Sequence, residues 1–188
     1  MTFKCFNIKF TVSYLFAATV AVYTAIDKTG MFIPLLLSII VHETAHSIAL
    51  CSFGCRITEV KLAFGCVGIF HEDSLNKWRR IIALFAGPTA NMLLSAISYF
   101  WGLKSLWGIN FILAAYNMLP LCGLDGGSIF SALLNGIISE NKVILLSKIL
   151  NITTLLAIFA FVAVIGFYEK NGYSLILFAI YLLFTAFF

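Results

Sequence analysis

The sequence predicts an all-α polytopic membrane protein with about six transmembrane helices, one of them broken, and a small β-hairpin at the membrane surface. Three observations predict it. Hydrophobic residues make up 62% of the 188-residue chain and only 11% are charged, against about a quarter in a soluble domain. Mean hydropathy is +1.03. Apolar runs of the ~20 residues that cross a bilayer as a helix recur along the chain.

The first run spans Ile8 to Ile26. It follows Lys4 and Lys9 as a signal peptide does, but no small-x-small cleavage site precedes Asp27, so a retained helix is expected. Asp27-Lys28-Thr29-Gly30 then reads as a tight polar turn. The second run, Met31 to about Ser52, contains Val41-His42-Glu43-Thr44-Ala45-His46. Between Gly54 and Lys77 hydropathy falls. There Thr58 to Phe64 alternates polar and apolar and predicts a short strand or hairpin. The third run, Ile81 to about Trp101, follows Trp78-Arg79-Arg80.

From Ser105 to Ile138 the chain stays apolar for 34 residues, too long for one crossing and too short for two. Pro120, Gly123, Gly126 and Gly127 break it. The expectation is a half-helix to about Tyr116, an irregular loop, and a second half-helix from about Gly127. Irregular backbone at that depth is tolerated only inside protein or along a wet cavity. Val143 to Phe167 and Tyr173 to Phe188 are the last two runs. No internal repeat or linker divides residues 1–188, so a single transmembrane domain without an extramembrane regulatory domain is expected.

Most of the 12 basic residues fall between the apolar runs and serve as topology signals, with no stretch suited to nucleic acid. Six crossings put Lys4, Lys9, Arg56, Lys61, Lys77, Arg79, Arg80, Lys142 and Lys148 on one side and Lys28, Lys104 and Lys170 on the other. The positive-inside rule then makes both termini cytosolic. The five cysteines (Cys5, Cys51, Cys55, Cys66 and Cys122) form no disulfide framework. Cys51 and Cys55, four apart, are expected to be buried free thiols in preference to metal ligands.

His42 and His46 share a helix face and can bind one metal ion together. Glu43, turned by about 100° from His42, can reach a water on that metal. H-E-x-x-H is the zinc-hydrolase pattern of two imidazole ligands and a carboxylate base. A catalytic zinc takes a third protein ligand, and Asp125 is the first candidate. It is a carboxylate in an apolar segment, followed by Gly126 and Gly127, and an ionisable residue inside a membrane marks a functional site. His42 lies ~15 Å from one helix end and Asp125 ~20 Å from another, depths compatible with one site. The competing readings are that Asp125 caps a half-helix and that His71, Glu72 and Asp73 supply the ligand. Asn91 can contact substrate or join helices. Asn117 can hold substrate backbone or its own loop. Gly87 and Pro88 read as close packing and a kink. The stretch Val60 to Phe70 offers an edge on which an unwound substrate can pair.

Taken together, His42-Glu43-Thr44-Ala45-His46, Gly87-Pro88-x-x-Asn91, and Asn117-x-x-Pro120 followed by Leu124-Asp125-Gly126-Gly127 resemble the site-2 protease family of intramembrane zinc metalloproteases. The small size and the place of the strand-like stretch are most similar to the sporulation branch, stage IV sporulation protein FB. The resemblance implies regulated intramembrane proteolysis of a membrane-tethered protein, a pro-sigma factor in that branch, and a regulatory membrane partner. It implies Zn2+ held by His42, His46 and Asp125, Glu43 as base, and Asn117 and Pro120 shaping the substrate region. Two departures stand out. Gly123 stands where family members often have Pro, and the chain stops at Phe188 where the sporulation branch often continues into a cytosolic domain. The rival readings are a transmembrane metal-ion transporter, since His and acidic residues also mark ion paths, and a non-catalytic scaffold with a retained zinc site.

Overall fold

The chain opens as strand rather than helix. In the computed structural model, β1 (Thr2–Cys5) pairs antiparallel with β2 (Ile8–Val12), and the helix α1 covers only Tyr14–Ile26. This corrects the expectation of one crossing from Ile8 to Ile26. The reason is local. Ile8-Lys9-Phe10-Thr11-Val12 alternates with the two-residue period of a strand. Ser13 then starts the helix, its Oγ accepting from the Leu15 amide at 3.2 Å. The 13 residues of α1 rise about 20 Å, short of the ~30 Å hydrocarbon core.

The structure describes residues 2–5, 8–63, 66–71 and 75–168, and the chain divides into two compact units, Met1–Tyr116 and Asn117–Phe188. In the first unit, α2 (Phe32–Ser52) is followed by β3 (Ile57–Ala63) and β4 (Cys66–His71). Instead of an isolated hairpin, these strands join the first two in a four-stranded sheet of order β1-β2-β3-β4. The β2/β3 pair is parallel and the outer pairs are antiparallel. The fold is therefore mostly helical with a small sheet, not all-α. The register makes the sheet two-faced. Phe10, Val60 and Ile69 form one row, and Lys9 and Glu59 belong to the next. On the polar face Thr11 donates to Glu59 at 2.6 Å and Lys9 lies 3.4 Å from the same carboxylate. First the Thr11 hydroxyl and then Lys9 hold that carboxyl below its ordinary range. On the apolar face Ile69 packs against Leu50, Cys55 and Ala83. Cys55 is thus a core thiol, as expected, whereas Cys51 is exposed.

The third helix, α3 (Lys77–Phe100), starts at Asn76, whose side chain accepts from the Arg79 amide at 2.9 Å. Its buried positions include Ala83, Gly87, Pro88, Asn91, Ser95 and Ser98. They recur every three or four residues and are mostly small, the composition that lets membrane helices approach closely. After a turn at Gly102, α4 (Lys104–Asn117) runs back, tied to α3 where Ser95 donates to the Trp107 carbonyl at 3.1 Å.

The second unit contains α5 (Asp125–Leu134) and α6 (Glu140–Tyr168). Residues 118–124 separate α4 from α5, so the break expected between about Tyr116 and Gly127 is present. Three described helical stretches are long and apolar enough to cross a membrane: Phe32–Ser52, Lys77–Phe100 and Glu140–Ala160. Large apolar side chains such as Ile48, Leu93, Ile97 and Leu156 are exposed, the mark of a membrane-facing surface. The sixth expected segment lies outside the described residues.

Asp27 organises the turn between α1 and α2. Its carboxylate accepts from the Thr29 hydroxyl at 2.7 Å, the Thr29 amide at 2.9 Å and the Phe32 amide at 2.8 Å, and Gly30 takes φ +68°. The Thr29 hydroxyl, then the Phe32 amide, lower its pKa from 3.8 to about 2. A depressed carboxyl pKa contributes stability that is complete above the unfolded value and lost as pH falls through the folded one. The thermal midpoint of the wild type therefore exceeds that of Asp27→Asn by a constant margin above pH ~4. The margin shrinks between there and about 2. Melting both proteins across that range checks it.

Candidate metal centre

The helical repeat stacks His42 and His46 on one face of α2, and α3 fixes their rings. His46 Nδ1 lies 2.7 Å from the Ala83 carbonyl. A carbonyl only accepts, so Nδ1 carries the proton and Nε2 is left with its lone pair. That Nε2 is 3.1 Å from Nε2 of His42, whose ring is buried at 5% exposure. A tetrahedral zinc with Zn–N bonds of about 2.0–2.1 Å separates two nitrogens by about 3.3–3.4 Å. The observed gap is within a few tenths of an ångström of that, so the pair fits one zinc ion.

Gly87 of α3 faces both rings. A Cβ there would overlap Nε2 of His46 and lie 2.7 Å from Nε2 and Cε1 of His42. It would fill the space on which the two nitrogens converge. Glycine at 87 therefore keeps that space open, beyond the close packing that the sequence reads. What could have pointed to it is the position of Gly87, midway along a helix whose buried side is otherwise small and polar.

Glu43, half-buried, follows His42 on α2. Asn91 lies one turn beyond Gly87 on α3 at 0% exposure, and among the described residues neither its Oδ1 nor its Nδ2 has a hydrogen-bond partner. A buried polar atom left unpaired costs about 1–3 kcal/mol.

In the second unit Asp125 is the first residue of α5, and the N-cap is Leu124. Asn117 ends α4, and Pro120 is half-buried in the following loop. That loop folds onto the start of α5. A Cβ on Gly126 would overlap the carbonyl oxygen of Met118, and one on Gly127 that of Leu121. Gly123 adopts φ +89°, which proline, held near −65°, does not reach. The glycine that departs from the family pattern is required by the path of this loop. Asn151 of α6, which hydropathy alone does not single out, accepts from the Cys122 amide at 3.0 Å. His71 ends β4 and is exposed, while Glu72 and Asp73 lie outside the described residues.

No family model matches the chain. A protein carrying a zinc metalloprotease name, sll0528 of Synechocystis sp., is 28% identical over 135 residues, 63% of this chain and 36% of that protein. The zinc metalloprotease MJ0392 of Methanocaldococcus jannaschii is 26% identical over 117 residues, 56% of this chain and 34% of that one. The chain spans about a third of the length of these two relatives. The site-2 protease from Methanocaldococcus jannaschii superposes with a TM-score of 0.70 at 20% identity, over 99% of this chain and 93% of that one. The chain has the fold of a site-2 protease. Among the described residues, the paired imidazoles on α2 and the bare α-carbon facing them leave room for a metal ion.

Gly87→Ala adds a methyl group to a helix that tolerates alanine well, at the point where the two nitrogens meet. Zinc binding of the purified variant is expected to weaken at least tenfold, whereas Gly108→Ala, with open space around it, binds as the wild type does. Metal analysis after dialysis at graded free zinc measures both.

Proposed function

We propose that the chain is an intramembrane zinc metalloprotease that cleaves a membrane-tethered protein. The observation that carries this reading is the pair of Nε2 atoms 3.1 Å apart, facing a residue without a side chain. The names of the relatives and the fold support it. In this reading His42 and His46 supply two imidazole nitrogens and Asp125 a carboxylate oxygen, the donor set that the resemblance implies and that suits a catalytic zinc. Zinc held there supplies a Lewis acid that polarises a peptide carbonyl and acidifies water.

The chain's own residues supply the rest. Glu43 takes the proton of the attacking water and delivers it to the leaving amine. Asn91 presents an amide with no partner among the described residues, able to bind substrate backbone. Asn117 and Pro120 shape the loop along which the substrate lies. A helical substrate hides its peptide bonds in its own hydrogen bonds and has to be drawn out. Within the sheet β4 is an outer strand, and an extended segment can pair with such an edge. Cytosolic termini, a regulatory membrane partner and a sporulation pro-sigma factor as substrate belong to the same proposal, resting on the charge distribution and the resemblance.

The test is cleavage of a co-expressed membrane-tethered candidate substrate. Glu43→Gln is expected to lower the rate by about 10²–10⁴-fold, the usual contribution of a general base, with zinc content unchanged. A chelator abolishes cleavage of the wild type, and added zinc restores it. Glu43→Gln protein that holds zinc and cleaves normally would sink the reading. Zinc flux into vesicles that survives the substitution would favour the transporter instead.

A further inference from the structure

Asn151 sits among Ile149, Leu150 and Ile152 in an apolar helix, where a polar side chain is costly unless it has a partner. Its partner is the broken loop. The Oδ1 of Asn151 accepts from the Cys122 amide at 3.0 Å. One turn earlier on the same face of α6 is Ser147, 3.2 Å from the hydroxyl of Ser131 on α5. The Ser131 hydroxyl donates its proton to the Gly127 carbonyl at 3.0 Å, so Ser147 is the donor of that pair. One face of α6 therefore holds both the second turn of α5, whose Ser131 is bonded back to Gly127 in the first, and the loop that leads into the helix.

The loop transmits this hold. Leu121 is buried at 3% exposure, its amide bonds the Leu119 carbonyl at 2.8 Å, and its carbonyl accepts from Leu124 at 3.2 Å. The carbonyls of Met118, Leu119 and Leu121 press on the bare α-carbons of Gly126 and Gly127. Cys122 lies in the middle of this wrap, three residues before Asp125. A loop amide in apolar surroundings needs a partner from within the protein, and in this chain a side chain 29 residues away supplies it.

We infer that Asn151 is a positioning residue for Asp125, fixing the loop and thereby the direction in which α5 presents its first carboxylate. The inference rests on the proposal that Asp125 is a zinc ligand, and it adds a determinant on α6 to that site. Residues that orient a metal ligand typically change metal affinity or activity by about 10–100-fold when lost.

The experiment compares wild type, Asn151→Leu and Asn151→Asp, purified in detergent. Zinc affinity is read by competition with a chromophoric chelator, and cleavage is read as separate kcat and KM. Asn151→Leu removes the acceptor at similar volume, and its zinc affinity is expected to fall at least tenfold, with kcat reduced. Asn151→Asp keeps an acceptor oxygen at the same reach and is expected to return affinity to within about threefold of wild type, which a purely structural role for the amide does not explain. Asn151→Leu with wild-type affinity and kcat overturns the inference, as does Asn151→Asp no better than Asn151→Leu. If Asn151→Leu does not yield folded protein, hydrogen exchange in Asn151→Ser, too short to reach Cys122, decides. Faster exchange in the segment 121–125 supports the inference and unchanged exchange overturns it. A wild type that binds no zinc defeats the functional reading itself; a wild type that binds zinc alongside an unaffected Asn151→Leu defeats only the role of Asn151.

Discussion

The first unit depends on how closely α3 approaches α2 beside the two histidines. A metal site needs ligand nitrogens with their lone pairs exposed and their rings held still. Both conditions are met by one helix contact. The Ala83 carbonyl engages Nδ1 of His46 and so assigns the tautomer, while Gly87, one turn on, leaves the space before both Nε2 atoms open. An α3 displaced outward would lose the first effect, and a side chain at 87 would remove the second. The small buried residues Ala83, Gly87 and Ser95 along α3 are what permit the approach, since association of helices in lipid relies on packing and not on the exclusion of water.

A related constraint shapes the second unit, where the chain leaves helical geometry between α4 and α5. Backbone groups freed from a helix in apolar surroundings need partners from the protein itself. The loop meets part of that demand with its own amides at Leu121 and Leu124 and part with Asn151. The glycines have separate tasks. Gly126 and Gly127 let carbonyls come within contact of the helix start, and Gly123 takes a left-handed conformation. A chain with proline at 123 has to follow another path there.

Much of this was legible in the sequence, for identifiable reasons. The H-E-x-x-H spacing forces His42 and His46 onto one helix face, and proline with several glycines forces the break. The alternation of β3 was visible for the same reason that β2 could have been. Lysine at position 9 and threonine at position 11 interrupt the apolar run with strand periodicity, but the hydropathy of the whole segment outweighed that signal. Features that depend on which helices meet were not legible. Gly87 gains its meaning from rings on α2, and Asn151 from a loop amide far away in sequence. Neither local propensity nor hydropathy encodes such a meeting.

The proposed hydrolysis and the rival reading of ion transport make different demands on the residues beside the histidines. A transported cation needs successive ligands of comparable strength, so that leaving one site is not much harder than entering the next. The polar residues that continue along the buried face of α3 past Gly87 are Asn91, Ser95 and Ser98, all neutral. A divalent zinc moving that way would exchange imidazole nitrogens for amide and hydroxyl groups, which are weaker ligands for it. The proposed reading needs a metal that stays and a substrate that comes to it, and the neutral face of α3 is consistent with that need. Asn91 is buried, and among the described residues both its amide atoms are unpaired. In the proposed reading, a peptide backbone drawn in beside the metal carries both the donor and the acceptor that they lack.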